Sequence, residues 1–161
     1  MKVHITHFMR DRRPNTFSIE RLYEDIRQTL PADCEAVEWM NRNPSKGIWP
    51  RLRDAWAARE AQRDVNHVTG DTHSLTYFLD RQRTVLTIHD LVTLERSRGL
   101  KRLVFWFFWF WLPVVRSRVV ITVSEATRQA LLRAVRCKPD KVVTIHNPVS
   151  AEFQPVAKVF N

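Results

Sequence analysis

Cysteine is scarce in this sequence, with only Cys34 and Cys137 among 161 residues. Two cysteines cannot form a disulfide framework, and their positions do not have the spacing of a metal site. We therefore expect neither a stapled secreted domain nor a bound metal. A reducing compartment, and hence a cytoplasmic location, is the simplest expectation.

Long hydrophobic runs and internal repeats are also missing. No stretch approaches the ~20 apolar residues that a membrane-spanning helix needs, and residues 1–7 have no apolar segment typical of a signal peptide. We find no repeat of the solenoid type and no low-complexity tract. The length is that of one domain with enough residues to bury a full core.

Acidic residues are fewer than basic residues in this chain. Lysine and arginine together number 26 against 17 aspartates and glutamates, which gives a formal net charge of +9. A basic surface indicates an anionic partner such as a nucleotide, a nucleic acid or an acidic lipid, unless it serves solubility only. No helix-turn-helix, zinc-finger or RNA-binding signature is present, so we do not expect nucleic acid to be the partner.

Six short segments rich in β-branched residues alternate with helical patterns. Apolar side chains recur at helical spacing in residues 17–30, and a second helix is predicted over residues 49–63. This alternation predicts an α/β fold: a doubly wound, mainly parallel Rossmann-like sheet with helices on both faces. The six strands are predicted at residues 2–8, 34–40, 65–68, 84–88, 119–123 and 141–145.

Polar residues follow several of the predicted strands and should meet in one crevice at the carboxyl edge of the sheet. Helix capping alone would explain Ser124 and Glu125. No helical pattern follows His89 and Asp90 directly, which favours a functional role for that pair. Gly70, in the loop after the third strand, is expected to adopt a backbone conformation that other residues resist. The residues expected at this edge are His89, Asp90, Ser124, Glu125, His146 and Asn147, with Asp71 and His73 in a further loop.

Residues 103–112 form an aromatic stretch that is apolar on every side of a helix. One interpretation is a crossover helix that packs on the sheet and buries its other face within the protein. The other is a helix that rests in a membrane interface, where tryptophan is favoured and cations meet anionic headgroups. The residues predicted to contact such a membrane are Trp106, Trp109, Arg98, Lys101 and Arg102.

Four segments, in this order, resemble the amino-terminal domain of a GT-B glycosyltransferase of the family-4 type. The resemblance extends over about residues 60–155, and no single segment would carry it. The segments are residues 65–71, 85–90, 120–127 and 141–149.

The resemblance implies an enzyme that transfers a sugar from a nucleotide-sugar to an acceptor and keeps the anomeric configuration. In that family the amino-terminal domain holds the acceptor, and a second Rossmann-like domain holds the donor, here expected to be a UDP- or GDP-sugar. Residues 1–150 would be the acceptor-binding half, which binds no cofactor itself. Residues 151–161 would begin a linker toward a donor-binding domain supplied in cis or in trans.

Together with the aromatic stretch, the resemblance predicts an acceptor that is a lipid-linked or cell-envelope saccharide, at the inner face of the plasma membrane. The alternative is a noncatalytic saccharide-binding or partner subunit of a split glycosyltransferase. His89 matches the cleft histidine of the family, and a neutral imidazole can donate one hydrogen bond and accept another. Acceptor hydroxyls are expected to contact Asp90, Asp71, His73, Ser124, Glu125 and Asn147.

The loop after the first strand departs from the pattern of the family. The family often has glycines there, which let the backbone approach the ligand closely, whereas residues 10–14 contain none. Either close approach is not used, or the arginines bind an anionic acceptor directly through their planar guanidinium groups. The candidates for anion binding are Arg10, Arg12 and Arg13.

Overall fold

The fold is a single six-stranded sheet, seen in a computed structural model that describes residues 1–11, 18–43 and 47–148. Neighbouring strands are all parallel, in the order β2-β1-β3-β4-β5-β6. The six predicted strands are confirmed, each to within one residue at either end. They are β1 (Val3–Met9), β2 (Cys34–Met40), β3 (Val65–Val68), β4 (Thr84–Ile88), β5 (Val119–Thr122) and β6 (Val142–Thr144).

Helices fill the connections between strands. The second predicted helix ends earlier than expected, because its last residues form the 3-10 turn Ala58–Ala61. Another 3-10 turn spans His73–Tyr77, and a third spans Pro139–Lys141. The α-helices are α1 (Ser18–Gln28), α2 (Ile48–Ala57), α3 (Val92–Arg96), α4 (Gly99–Phe105), α5 (Leu112–Val115) and α6 (Glu125–Ala134).

The direction of the connections decides which face each helix covers. The chain moves from β1 to β2 in one direction across the sheet, and every later connection moves in the other direction. Since crossovers between parallel strands are right-handed, α1 must lie on the opposite face from the helices that follow it. Helices therefore cover both faces, as the sequence predicts.

The core lies between the sheet and the later helices. Strand register places five fully or almost fully buried residues in one row across the sheet, each directly beside the next. Ala55, Phe110, Val114 and Leu131 pack against this row from the helices. Full burial of such side chains stabilises the fold by about 1.5–3 kcal/mol each. The row is Phe8, Val68, Leu86, Val120 and Val142.

A polar cluster lies beneath α1 on the other face. The rings of His7, Tyr23 and His67 meet edge to face, with centroids 5.2–5.4 Å apart. The Tyr23 hydroxyl donates to Thr87 Oγ1 over 3.2 Å, and Thr87 Oγ1 lies 2.8 Å from His67 Nε2. Burial lowers the pKa of His7 to about 4 and that of His67 to about 3, so both imidazoles are neutral at pH 7.

The aromatic stretch folds as a crossover helix. A π-helical turn, Trp106–Trp111, joins α4 to α5, so that residues 99–115 form one continuous helical segment, the aromatic helix. Its inner side packs on the core through Phe110, which is 2% exposed. Among the described residues, no helix is long and apolar enough to cross a membrane.

Two side chains anchor the π-helical turn. His73 Nδ1 lies 2.6 Å from the carbonyl oxygen of Trp109, and the Tyr77 hydroxyl donates to the carbonyl oxygen of Phe108 over 2.5 Å. A π-helical turn interrupts the regular ladder of a helix, and such turns are frequent at functional sites. The 3-10 turn His73–Tyr77 thereby fixes the position of the aromatic helix.

The expectation for Gly70 is wrong. Among the described glycines, positive φ occurs at Gly47 (86°) and Gly99 (56°). A Cβ at Gly70 would meet the Ile19 side chain at 3.8 Å, an ordinary contact. Gly70 itself lies outside the left-handed region, so this position does not require glycine.

Candidate functional site

A cavity of about 200 Å³ opens at the carboxyl ends of β1, β3 and β4, and we call it the cleft pocket. The connections of β1 and β3 leave the sheet in opposite directions, which makes this a topological switch point, where open α/β sheets bind ligands. Five of the residues predicted to bind an acceptor or an anion come together here. The polar and glycine residues lining it are Arg10, Gly70, Asp71, His73, His89, Asp90 and Thr93.

His89 is held in one orientation. Its Nε2 lies 3.2 Å from the carbonyl oxygen of Thr69, which can only accept, so Nε2 carries the proton. In the neutral ring Nδ1 is then an acceptor. The hydroxyl of Thr127 donates to the His89 carbonyl over 3.3 Å, which also fixes the backbone at the end of β4. The half-buried imidazole can accept a hydrogen bond from a ligand hydroxyl.

His73 is the second imidazole of the cleft pocket. It is 5% exposed, and burial lowers its pKa despite the hydrogen bond to the Trp109 carbonyl. Because Nδ1 donates to that carbonyl, Nε2 is left as an acceptor. His73 therefore has two functions: it anchors the aromatic helix and it offers a nitrogen lone pair to the site.

Two carboxylates stand at the rim of the cleft pocket. The Asp71 side chain is 55% exposed. Asp90 Oδ1 accepts a hydrogen bond of 3.0 Å from the backbone N–H of Val92, at the first residue of α3. A short helix therefore does follow the His89–Asp90 pair, contrary to the expectation from the sequence. Asp90 organises this turn with one oxygen, and carboxylate oxygens suit sugar hydroxyls.

Arg10 reaches the cleft pocket as a paired cation. Its Nε donates to Glu20 Oε1 over 2.9 Å, and its Nη1 lies 3.9 Å from Asp71 Oδ2. The hydrogen bond to Glu20 raises the pKa of Arg10, so the guanidinium stays charged while two carboxylates balance it. Arg10 thus offers less charge to an anion than its sequence position predicts. Arg12 and Arg13 lie outside the described residues.

The sequence matches the family model described as Glycosyltransferase Family 4 over residues 5–153. The chain belongs to glycosyltransferase family 4. This is the amino-terminal domain family of GT-B glycosyltransferases, and the six-stranded parallel sheet agrees with one half of that fold. No curated protein matches the chain significantly.

Three predicted acceptor-binding residues of this family 4 domain do not line the cleft pocket. Ser124 Oγ accepts the backbone N–H of Thr127 over 3.1 Å and caps α6. The exposed carboxylate of Glu125 accepts a hydrogen bond from Thr144, the main reason why its pKa is lowered, and it also pairs with Arg128. Asn147 is exposed beyond β6. Capping therefore accounts for Ser124 without a ligand.

The aromatic helix supplies walls of the cleft pocket that the sequence does not predict there, since Trp109 is expected at a membrane instead. Phe105, Trp109 and Phe110 line it opposite the strand ends, and Ile19 of α1 completes the apolar part. Local periodicity marks these residues as apolar but cannot show which way they face. The polarity of Thr93 and the carbonyl of Thr69 likewise give no signal in a single sequence.

The residues predicted to touch a membrane divide into two groups. Trp106 Nε1 donates to the Ala134 carbonyl over 2.8 Å, and Trp109 stacks on Phe105, so both indoles are directed into the protein. Arg98, Lys101 and Arg102 are exposed, although Arg102 also donates to the Leu94 carbonyl. The outward apolar residues are instead Leu100, Leu103, Val104, Phe107 and Phe108, between 36% and 76% exposed.

Among the described residues, no group of three or more His, Cys, Asp or Glu side chains could hold a metal ion. The chemistry available to the family 4 domain at this site is hydrogen bonding by two imidazoles and two carboxylates. That set is suited to the hydroxyl groups of a saccharide.

Proposed function

We propose that this family 4 domain is the acceptor-binding half of a retaining, nucleotide-sugar-dependent glycosyltransferase, inactive without a donor-binding domain. The observation that supports this most strongly is the convergence of His89, Asp71, Asp90 and His73 on one cavity at the switch point of the sheet. The four side chains come from two connections, Asp71 and His73 from the one after β3 and His89 and Asp90 from the one after β4.

The cleft pocket would hold the acceptor hydroxyl that reacts. In the transfer, the acceptor oxygen forms a bond with the anomeric carbon and the bond from that carbon to the nucleotide diphosphate breaks. The diphosphate leaves with the electron pair and takes up the hydroxyl proton. His89 Nδ1 accepts a hydrogen bond beside the reacting centre, and Asp71 and Asp90 orient hydroxyl groups.

The donor, a UDP- or GDP-sugar, would be held by a donor-binding domain in cis or in trans. Stabilising a departing diphosphate needs cationic groups. Arg10, the one cation among the described residues that line the cleft pocket, is already paired with Glu20 and Asp71. This pairing supports the assignment of diphosphate binding to another domain.

The acceptor in this proposal is a lipid-linked or cell-envelope saccharide, and the enzyme works at the cytoplasmic face of the plasma membrane. Support comes from the outward apolar residues of the aromatic helix, next to the exposed Arg98 and Lys101. The net charge of +9 is consistent with an anionic surface as partner. We do not propose a nucleic-acid ligand.

Sugar transfer by the full-length protein tests the proposal. A panel of UDP- and GDP-sugars would be offered with membrane lipid extracts as acceptors. We expect His89→Ala to lower kcat/KM about 100-fold, within the range of a lost polar group at a reacting centre. The control is His146→Ala, which should leave transfer unchanged. The sequence predicts His146 at the same edge, but it is exposed beyond β6 and does not line the cleft pocket. Wild-type turnover in His89→Ala would remove the proposed role.

A second candidate function is a noncatalytic saccharide-binding or partner subunit of a split glycosyltransferase. The observation in its favour is that the cleft pocket has groups for hydroxyl binding, while its arginine is neutralised by carboxylates. Saccharide binding that depends on Asp71 and Asp90, with no transfer for any donor or added partner, would favour this second function.

A further inference from the structure

A large apolar groove of about 750 Å³ runs beside the cleft pocket. It lies between α2 and the outer side of the aromatic helix, with the turn His73–Tyr77 as its floor. Its charged lining residues are Arg51 and Lys101, and no acidic residue is among the described residues that form it. The lining also includes Ile48, Leu52, Phe78, Leu100, Val104 and Phe108.

The apolar groove and the cleft pocket share a wall. Phe105 and Trp109 line both cavities. Trp109 stacks on Phe105 with centroids 5.3 Å apart, and the guanidinium of Arg51 lies 4.5 Å from the centroid of the indole. A single molecule with a polar head and an apolar chain can therefore occupy both cavities across this pair of rings.

The lining of the groove discriminates between classes of ligand. The Tyr77 hydroxyl already donates to the Phe108 carbonyl, so the groove has few groups with which to satisfy an extended peptide. Burial of unpaired peptide N–H and C=O groups is unfavourable. A hydrocarbon chain has no such groups, and the two cations are complementary to a phosphate attached to it.

We infer that the apolar groove binds the hydrocarbon chain of an anionic, lipid-linked acceptor whose saccharide occupies the cleft pocket. The inference rests on the proposed function for the identity of that saccharide. It goes further in assigning the lipid portion to a cavity of the protein rather than to the bilayer alone. Lys101 and Arg51, at the groove, face the phosphate that joins chain and sugar.

Binding of n-dodecyl phosphate to the intact protein, below its critical micelle concentration, tests the inference through tryptophan fluorescence. The aromatic helix offers two matched pairs of exposed positions. Val104 and Phe108 line the groove, whereas their neighbours Leu103 and Phe107 do not. The exposed fractions are similar within each pair: 49% for Val104 and 58% for Leu103, and 39% for Phe108 and 36% for Phe107. We expect Val104→Gln and Phe108→Gln to raise Kd about fivefold to tenfold. Leu103→Gln and Phe107→Gln should change it less than twofold.

The head group is tested with the same chain on a neutral head. Lys101→Gln should weaken binding of n-dodecyl phosphate about threefold to fivefold and leave binding of n-dodecyl maltoside unchanged. Equal losses in both members of each matched pair would show that the probe coats the apolar surface, and the groove inference would be overturned. Absence of saturable binding by the wild type would overturn it as well.

These binding measurements do not depend on sugar transfer, so the groove inference and the proposed function can be tested separately. If transfer is observed but the matched pairs behave alike, the groove inference is wrong and the proposed function stands. If the pairs separate but no donor supports transfer, the groove is a lipid site and the proposed function is wrong. If both hold, Val104→Gln should raise KM for a lipid-linked acceptor and leave KM for a chain-free saccharide unchanged.

Discussion

Four histidines of this domain differ in whether their surroundings leave a ring nitrogen available to a ligand. His89 and His73 each donate one ring N–H to a backbone carbonyl and line the cleft pocket. His7 and His67 lie beneath α1 instead, in contact with Tyr23. His89 and His73 are therefore suited to ligand binding. His7 and His67 do not line the cleft pocket, and they contribute, as buried His73 does, to the dependence of stability on pH.

Acid should destabilise the domain through His7 and His67. In the unfolded chain a histidine has a pKa of about 6.5, well above about 4 and about 3 in the fold. The unfolded state thus binds more protons below pH 6.5, and stability falls as pH falls. Between pH 6.5 and pH 5 we expect a loss of about 1.6 kcal/mol for each histidine, measured by urea unfolding.

His67→Gln separates this effect from general acid sensitivity. The variant should lose only the share of the pH dependence that His67 contributes, because His7 and His73 remain as buried bases. His146→Gln replaces an exposed histidine and should retain the wild-type slope. An unchanged slope in His67→Gln would contradict the assignment.

At the scale of single elements, α6 shows how capping and ligand binding can be told apart. Ser124→Ala removes the oxygen that accepts the Thr127 N–H, and we expect a loss of about 1 kcal/mol in the free energy of unfolding. Ser124→Asp keeps an equally good cap and should restore stability. A cap alone predicts unchanged acceptor KM in Ser124→Asp, and a raised KM there would support acceptor binding.

Whether an element could be predicted from the sequence depends on how local the interactions are that define it. The strands could be predicted because β-branched runs bounded by polar residues are a local signal, and the same holds for the apolar side of α1. The end of α2 at Ala57 and the start of α3 at Val92 could not be predicted. They depend on a 3-10 turn and on one Asp90 hydrogen bond, which leave no periodic trace.

The site was partly predictable for the same reason. Residues at the carboxyl ends of parallel strands lie at the same edge of the sheet, however the helices pack. Asp71, His89 and Asp90 could therefore be expected at one edge. Tertiary packing decides the rest. The walls formed by Trp109 and Phe110, the pairing of Arg10 with Glu20 and the histidines beneath α1 all depend on contacts between distant parts of the chain.

For the molecule as a whole, the charge of +9 predicts binding to anionic membranes that depends on salt. In flotation with liposomes that contain phosphatidylserine, we expect association at 50 mM salt and its loss at 500 mM, because screening shortens the range of the attraction. Liposomes of phosphatidylcholine alone should bind weakly.

The location of the charges matters as much as their number. Arg98→Gln with Lys101→Gln, on the exposed start of the aromatic helix, should reduce this association about tenfold or more. Arg133→Gln on α6, also an exposed cation, should have a much smaller effect. Equal effects at both places, or binding that salt does not change, would argue against a membrane-facing aromatic helix.

The order of strands also bears on how the chain is made. β1 is an interior strand, and it pairs on one side with β2 and on the other with β3, where Ile5 lies opposite Val65. A growing polypeptide therefore presents β2 first and β3 roughly 30 residues afterwards, a delay of about 1–6 s at ordinary rates of synthesis. During that interval one edge of β1 exposes unpaired backbone N–H and C=O groups, which can pair with another nascent chain. Slow codons between β2 and β3 should thus increase aggregation more than the same codons placed after β6.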